Sequence, residues 1–298
     1  MITNSPPARM HAADGLLKSP LKLIGAKTGI RRDSPRRRIY QMIPPDCWMY
    51  VEPFLGSGGI LIGKQPHGRE MVNDLNVWPI HFFRMLQRDP LAVWARVEPL
   101  IYRMDEARFN EIRFQAPSIS TDPYRAAAWY YAINKFARNG IVRFRKDGKC
   151  NSTYCKEDTG RGLFDAAWLL QICERIRDVT FDNLPYGEYL DLRVDRLVPQ
   201  LKHALVMVLD PPYSQVFTKY NGGDHFADRD HELLAGRLET AEYRWILTIN
   251  DNPFVRKLYY WANLIDNPTL WQCSNTVAGR GVRNELIITN FDPSGCPS

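Results

Sequence analysis

Residues 204–213 read ALVMVLDPPY. From Ala204 to Leu209 every residue is apolar with no alternation, the pattern of a strand buried on both faces of a parallel sheet. Pro211 and Pro212 then end it, because neither can donate to a strand ladder. Trp245–Ile249 and Glu285–Thr289 are runs of similar character. Toward the other end, Tyr50–Phe54 (YVEPF) reads as a buried strand that leads into the small-residue turn Gly56-Ser57-Gly58-Gly59. Glu70–Val72 reads as a second short strand ending at Asn73-Asp74. Val77 to Gln87 carries Ile80, Phe83 and Leu86 at helical spacing. From about Asp89 to Gln200 the chain reads mostly helical or irregular, with Tyr124–Ala137 and Leu163–Asp178 as its best helices. Strands at both ends and helices between them fit one α/β sheet with an inserted lobe better than two tandem domains.

A length of 298 residues suits one large domain or a core with a smaller lobe. No apolar run is long enough to span a bilayer. The first twenty residues mix Pro, Ser, Ala and polar residues and read as a loose arm without a signal-peptide core, so a cytoplasmic location is the default expectation. The six cysteines are Cys47, Cys150, Cys155, Cys173, Cys273 and Cys296, and reduced thiols are expected in that compartment. Cys150 and Cys155 have no matching second pair at zinc-finger spacing, so no metal is expected. A net charge of +6 suits a polyanionic partner. The densest basic run is Arg31, Arg32, Arg36, Arg37 and Arg38, which reads either as phosphate contacts or as a solvated stretch. No internal repeat or long low-complexity segment interrupts the chain.

Two places carry chemistry. Glycines at 56 and 58 let a backbone pass close to a ligand, at the carboxyl edge of a sheet. Asp74 follows the second strand, where an acid can accept hydrogen bonds from ribose hydroxyls or cap the next helix. Asp210-Pro211-Pro212-Tyr213 is more specific. The prolines leave carbonyls as acceptors, Asp210 adds a carboxylate, and together they can hold both hydrogens of an exocyclic amine. Tyr213 offers a flat face for a base. His231, beside Leu233 and Leu234 in an amphipathic helix pattern, reads as a packing residue.

These segments resemble the Dam-like (D12 class) adenine-N6 DNA methyltransferases. Glu52-Pro53-Phe54-Leu55-Gly56-Ser57-Gly58 matches their cofactor motif, Asn73-Asp74-Leu75-Asn76 the following acidic motif, and Asp210-Pro211-Pro212-Tyr213 the catalytic motif. Pro20-Leu21-Lys22-Leu23-Ile24-Gly25-Ala26-Lys27 is similar to their N-terminal motif, with Leu23 where an aromatic is usual and Ala26 where a second glycine is usual. Gly148–Tyr154 resembles a degraded form of a further family segment, and Phe217–Tyr220, Phe226, His231–Leu234, Trp245–Asp251 and Glu285–Asn290 follow in family order.

The resemblance implies a Rossmann-like sheet for S-adenosylmethionine-dependent transfer, with an inserted, mostly helical target-recognition lobe. The catalytic domain would be residues 20–90 and 201–298, the lobe 91–200 and the arm 1–19. Lys22, Lys27, Pro53, Phe54, Gly56, Ser57, Gly58, Asp74 and Asp210 would bind the cofactor. Asp210, Pro211, Pro212 and Tyr213 would act on an adenine flipped out of double-stranded DNA. Arg31, Arg32, Arg36, Arg37, Arg38 and Tyr220 would contact the DNA. The host would be a bacterium or a phage-infected cell. RNA adenine or cytosine N4 as the target, and a non-catalytic DNA-binding protein on this scaffold, are the competing readings. The target sequence, the oligomeric state and any partner nuclease are left open.

Overall fold

The computed structural model describes residues 16–22, 35–155, 165–214, 226–271 and 281–295. Seven strands are present: β1 (Met49–Glu52), β2 (Arg69–Asn73), β3 (Val179–Asp182), β4 (Leu205–Leu209), β5 (Arg244–Asn250), β6 (Asn263–Trp271) and β7 (Gly281–Thr289). The helices of at least five residues are α1 (Pro35–Met42), α2 (Gly59–Gly63), α3 (Val77–Arg88), α4 (Pro90–Ile101), α5 (Glu106–Arg113), α6 (Pro123–Phe136), α7 (Ala166–Arg175), α8 (Tyr186–Arg193), α9 (Pro199–His203), α10 (Asp228–Glu239) and α11 (Pro253–Leu258). They fall into two compact units. A sheet unit takes residues 35–55, 65–75 and the described residues from 178 onward; a helical unit takes 16–22, 56–64 and the described residues of 76–177.

In the sheet unit the strand order is β3-β2-β1-β4-β5-β7-β6. The first five are parallel, β7 runs antiparallel to β5, and β6 antiparallel to β7. From β1 the chain steps outward to β2 and β3, then returns on the other side to β4 and β5. The order therefore reverses between β1 and β4, the place where open α/β sheets hold ligands, outside the strands' carboxyl ends. Both strands are buried along their whole length. They belong to one core with Met71, Leu190, Leu234, Leu238, Trp245 and Ile288.

Two strands were not legible. Val179–Asp182 lies inside the stretch expected to be helical, yet it pairs with β2. It is a four-residue edge strand, too short to show a period. Asn263–Trp271 contains Pro268, which an edge strand tolerates because one side of its backbone needs no ladder bond. Glu285–Thr289 is the end of a longer antiparallel strand rather than a parallel one. The units also divide the chain differently from the expected boundaries. Residues 178–200 belong with the sheet because β3 pairs there, and 76–90 with the helices because α3 packs on α6 and α7.

His231 on α10 is fully buried, edge-on to Phe226 at 4.7 Å between ring centres. Neither ring nitrogen finds a hydrogen-bond partner among the described residues. Burial pushes its pKa below the ordinary 6.5, against the pull of Asp228 and Asp230. The unfolded chain therefore binds more protons below 6.5, and stability is lost as pH falls through that value. His231→Leu should give a shallower fall in urea midpoint below pH 6.5 than the native chain. The fall should not vanish, since burial also lowers His81. An unchanged slope would refute the assignment.

The helical unit is built around α6, whose residues Ala126–Phe136 are all buried. Trp78 stacks on Phe144 at 5.3 Å, and Phe82 on Tyr131 at 5.5 Å. Side-chain caps start the helices: Asn76 for α3, Asp122 for α6 and Asp165 for α7. Residues 16–22 are strapped to the helices by Asn134. Its Oδ1 accepts from the Lys22 amide at 2.9 Å, and its Nδ2 donates to the Lys22 and Gly140 carbonyls, each at 2.7 Å. Gly140 has φ +69°, and a Cβ there would fall 2.4 Å from the Lys22 Cβ and 2.6 Å from its carbonyl oxygen. Gly140→Ala should therefore destabilise the chain by roughly 1–3 kcal/mol, read as a lowered thermal midpoint; an unchanged midpoint would show that the strap is not under constraint.

Candidate active site

The apolar strand β4 delivers Asp210-Pro211-Pro212-Tyr213 to the carboxyl edge of the sheet. Asp210 and Tyr213 are half-buried and Pro211 is buried. Two strands, β5 and β7, and the cap of α11 hold this loop. Thr248, buried on β5, donates its hydroxyl to Asp210 Oδ1 at 2.6 Å. Tyr213 donates its hydroxyl to Glu285 on β7. Asn250, at the end of β5, grips the backbone of Ser214 from both sides: its Oδ1 accepts from the Ser214 amide at 3.0 Å and its Nδ2 donates to the Ser214 carbonyl at 3.1 Å. Asn252 Nδ2 adds a bond to Ser214 Oγ at 2.7 Å while its Oδ1 caps α11. The loop is thus fixed on each side of its prolines, which contribute no amide of their own.

At the neighbouring end of the sheet, Asn73 ties three strands together. Its Nδ2 donates to the Pro53 carbonyl at 3.1 Å and the Leu184 carbonyl at 3.0 Å, and its Oδ1 accepts from the Leu184 amide at 2.9 Å. Its own carbonyl accepts from Leu55 at 2.8 Å. Phe54 leaves β1 into an aromatic group, 5.5 Å from Tyr186 and 5.7 Å from Phe226. Asp74 is half-buried beyond β2, and its carbonyl accepts from Asn183 at 2.7 Å. Asn76, not Asp74, caps the following helix, so the capping role does not account for the acid at 74. Glu52, in the motif itself, is buried and accepts from Tyr50 at 2.8 Å.

In the helical unit, Gly56 and Gly58 take φ +54° and +71°, the left-handed region that only glycine enters without strain. Ser57 between them is buried, and its carbonyl accepts from Ser19. Lys22 sends its ammonium to the Lys135 carbonyl at 2.8 Å. Lys135 is itself buried against the Tyr131 ring; burial first, then the charge of Lys22, push its amine well below the ordinary lysine range. A hairpin follows α6, with Phe144 opposite Cys150 and Gly148 at φ +78°. It exposes Arg138, Arg143, Arg145, Lys146 and Lys149. Behind it, Ser152 accepts from the Arg143 amide, and its carbonyl takes Arg113 Nη1.

The arginine run divides. Arg36 is fully buried on the inner face of α1 with Ile39, its guanidinium 5.6 Å from the Tyr40 ring centre and without a hydrogen bond among the described residues. It presents nothing to a phosphate, contrary to the expectation from sequence, because it sits three residues before Ile39 on the packed stripe. Arg37 and Arg38 are half-buried, and Arg38 Nη1 donates to Asn267 at 3.0 Å. Lys27, Arg31, Arg32 and Tyr220 lie outside the described residues. Sequence reasoning missed Thr248, Asn73, Glu285 and the basic hairpin as contributors. Thr248 left one signal: it is the polar residue in the otherwise apolar run Trp245–Ile249, and a buried hydroxyl needs a partner. Among the described residues no group of three or more His, Cys, Asp or Glu gathers as metal ligands. Cys47, Cys150, Cys155 and Cys173 form no disulfide among the described residues. No described helix is long and apolar enough to cross a membrane.

Comparison with known proteins bears on this arrangement. The profile of the D12 class N6 adenine-specific DNA methyltransferases matches residues 35–270. The Type II methyltransferase M.CviBI of Paramecium bursaria Chlorella virus NC1A is 23% identical over 256 residues, 82% of this chain and 86% of that protein. A DNA adenine methylase of Vibrio cholerae serotype O1 is 26% identical over 277 residues, 90% of this chain and 94% of that protein. An rRNA methyltransferase of Streptomyces viridochromogenes aligns over 98% of this chain and 100% of that one, at a TM-score of 0.38 and 13% identity, too distant to bear on fold or substrate. The profile spans most of the length and contains β1, β2 and the Asp210–Tyr213 loop, and this chain belongs to the D12 class of N6 adenine-specific DNA methyltransferases.

Proposed function

We propose that the chain transfers a methyl group from S-adenosylmethionine to the N6 atom of an adenine flipped out of double-stranded DNA. The observation that carries this reading is the Asp210–Tyr213 loop, held by Thr248, Asn250 and Glu285 at the point where the strand order reverses.

The residues at that edge of the sheet fit the donor. Asp74 is a half-buried acid just beyond β2, suited to ribose hydroxyls. Phe54, with Tyr186 and Phe226, supplies aromatic surface for a purine. Pro53, beside Phe54, is set by Asn73. Gly56, Ser57 and Gly58 complete the same sequence motif, and two positive φ values there leave backbone without side chains over it. Lys22 is the weaker member, because its ammonium is already engaged. Bound S-adenosylmethionine supplies a methyl group on a sulfonium, which needs no further activation.

The chain's own task is then to prepare the nucleophile. Adenine N6 is paired and stacked in a duplex, and extruding it costs about a few kcal/mol. The Tyr213 face returns roughly 1–3 kcal/mol by stacking. Asp210 and the Pro211 carbonyl accept the two N6 hydrogens, which turns the nitrogen lone pair out of the ring's conjugation. The Thr248 bond holds the Asp210 carboxylate in one rotamer, so this geometry is set before the base arrives. The methylated nitrogen is cationic and acidic and gives up one proton to solvent after transfer, so Asp210 serves as a hydrogen-bond acceptor rather than a strong base. The basic hairpin of the helical unit and Arg37 of α1 serve the DNA phosphates. The protein would act in the cytoplasm of a bacterium or a phage-infected cell.

The test is transfer of labelled methyl from S-adenosylmethionine to unmodified double-stranded DNA, single-stranded DNA and RNA, with nucleoside analysis of each product. N6-methyladenine in duplex DNA, above the other two substrates, is expected. N4-methylcytosine, or preference for RNA, would overturn the substrate assignment. Binding of the duplex without transfer would favour a non-catalytic scaffold.

A further inference from the structure

The three strands that close the sheet beyond β4 carry a polar row that the motifs do not explain. Asn250 on β5 pairs with Glu285 on β7, and Glu285 pairs in turn with Asn267 on β6. Residues directly opposite each other in a ladder share one face. A row of two amides and a carboxylate therefore crosses three adjacent strands, with Glu285 and Asn267 almost wholly buried. Each member grips something outside the sheet. Asn250 holds both backbone groups of Ser214, the residue after the catalytic motif. Glu285 accepts the hydroxyl of Tyr213. Asn267 accepts from Arg38 of α1.

A tyrosine that only stacks a base needs its face, not its hydroxyl, and phenylalanine would serve. A buried carboxylate, on the other hand, is an expensive acceptor to maintain unless its bond has a use. Its bond to a hydroxyl is also stronger than a neutral acceptor would make. The ring of Tyr213 is thereby held at both ends, by the Asn250–Ser214 clamp near its backbone and by Glu285 at its tip. We propose that Glu285 is a positioning residue for methyl transfer: through the Tyr213 hydroxyl it fixes the ring plane against which the target base is set. This rests on the function proposed above, and it gives a role to Glu285, which lies in a segment that follows in family order but had none assigned.

A double-mutant cycle tests it, using the full chain, S-adenosylmethionine and a duplex in which 2-aminopurine replaces the target adenine for the flipping readout. The single-turnover transfer rate is measured in parallel on the normal duplex. Tyr213→Phe and Glu285→Ala should each slow transfer about tenfold and reduce the 2-aminopurine signal, while the double variant is no slower than the worse single one. Glu285→Gln keeps an oxygen acceptor and should recover most of the rate, which a purely structural lesion would not. Multiplying effects in the cycle would overturn the proposal. So would a native rate in Tyr213→Phe, a conservative variant that answers the question even where Glu285→Ala folds poorly. A native chain that makes no N6-methyladenine takes down the functional reading and this role together. A native chain that methylates while its variants multiply takes down the role of Glu285 alone.

Discussion

Replacing Asp210 with alanine is expected to lower the rate of methyl transfer by about 10²–10³-fold, with the fold intact. The magnitude follows from what the side chain is placed to do. The Thr248 hydroxyl pins Oδ1 at 2.6 Å, so the carboxylate is ready to accept an amine hydrogen without reorganising. Alanine removes the acceptor, and the target nitrogen keeps its lone pair in the ring. Asparagine should lose less, on the order of tenfold to a hundredfold. Its amide can turn so that Nδ2 faces Thr248, whose hydroxyl is able to accept as well as donate. The carbonyl oxygen then faces the amine, without the charge. The measurement is single-turnover transfer to duplex DNA, alongside the thermal midpoint of each variant. Alanine and asparagine variants that both transfer at the native rate would remove Asp210 from the mechanism. An asparagine variant slower than alanine would show that the amide keeps its nitrogen toward the base, where donor meets donor.

The legible part of this protein was the part with strong periodicity or rare residue combinations. A run such as ALVMVL can be little other than a buried strand, and two prolines after an aspartate are too unusual to be a plain strand end. The strands around it were found for the same reason. The residues that hold the motif in place were not legible as such. Glu285 works only through its place across β5 and β7, and register between strands far apart in sequence leaves no local mark. Thr248 was missed, and even as the polar residue of Trp245–Ile249 it could not be paired without the sheet. Arg36 shows the opposite error. A cluster of arginines read as one basic surface, whereas helical periodicity turns one of them inward with Ile39 and leaves the next two half-buried. The exposed basic residues of the helical unit's hairpin are spread from Arg138 to Lys149, too sparse to stand out as a run until the hairpin gathers them. The short edge strand β3 failed for want of length, and β6 because its proline and polar residues suit an edge and hide its pattern.

The largest stability effect is expected at Asn73. Its side chain makes three hydrogen bonds within the sheet unit, two to the backbone of Leu184 and one to Pro53, and only 1% of the residue is exposed. Alanine would leave two carbonyls and one amide without their partner, in a space that one lost amide group does not open to solvent. An orphaned buried group costs about 1–3 kcal/mol, and the three share one side chain, so roughly 3–5 kcal/mol in total is expected from Asn73→Ala. Asn73→Asp should be no better. It keeps the bond to the Leu184 amide but sets a carboxylate against two carbonyl oxygens, and its stability should rise as the pH is lowered far enough to protonate it. The same substitution reaches the proposed cofactor site, because the Pro53 carbonyl and the Leu55 amide both lean on this residue and Phe54 lies between them. Urea unfolding gives the stability, and titration with S-adenosylmethionine gives the affinity. A loss of both is expected if Asn73 sets the end of β1. A stability loss with unchanged affinity would mean that Phe54 is held by Tyr186 and Phe226 instead, and the aromatic group would then be the part of the site to change next.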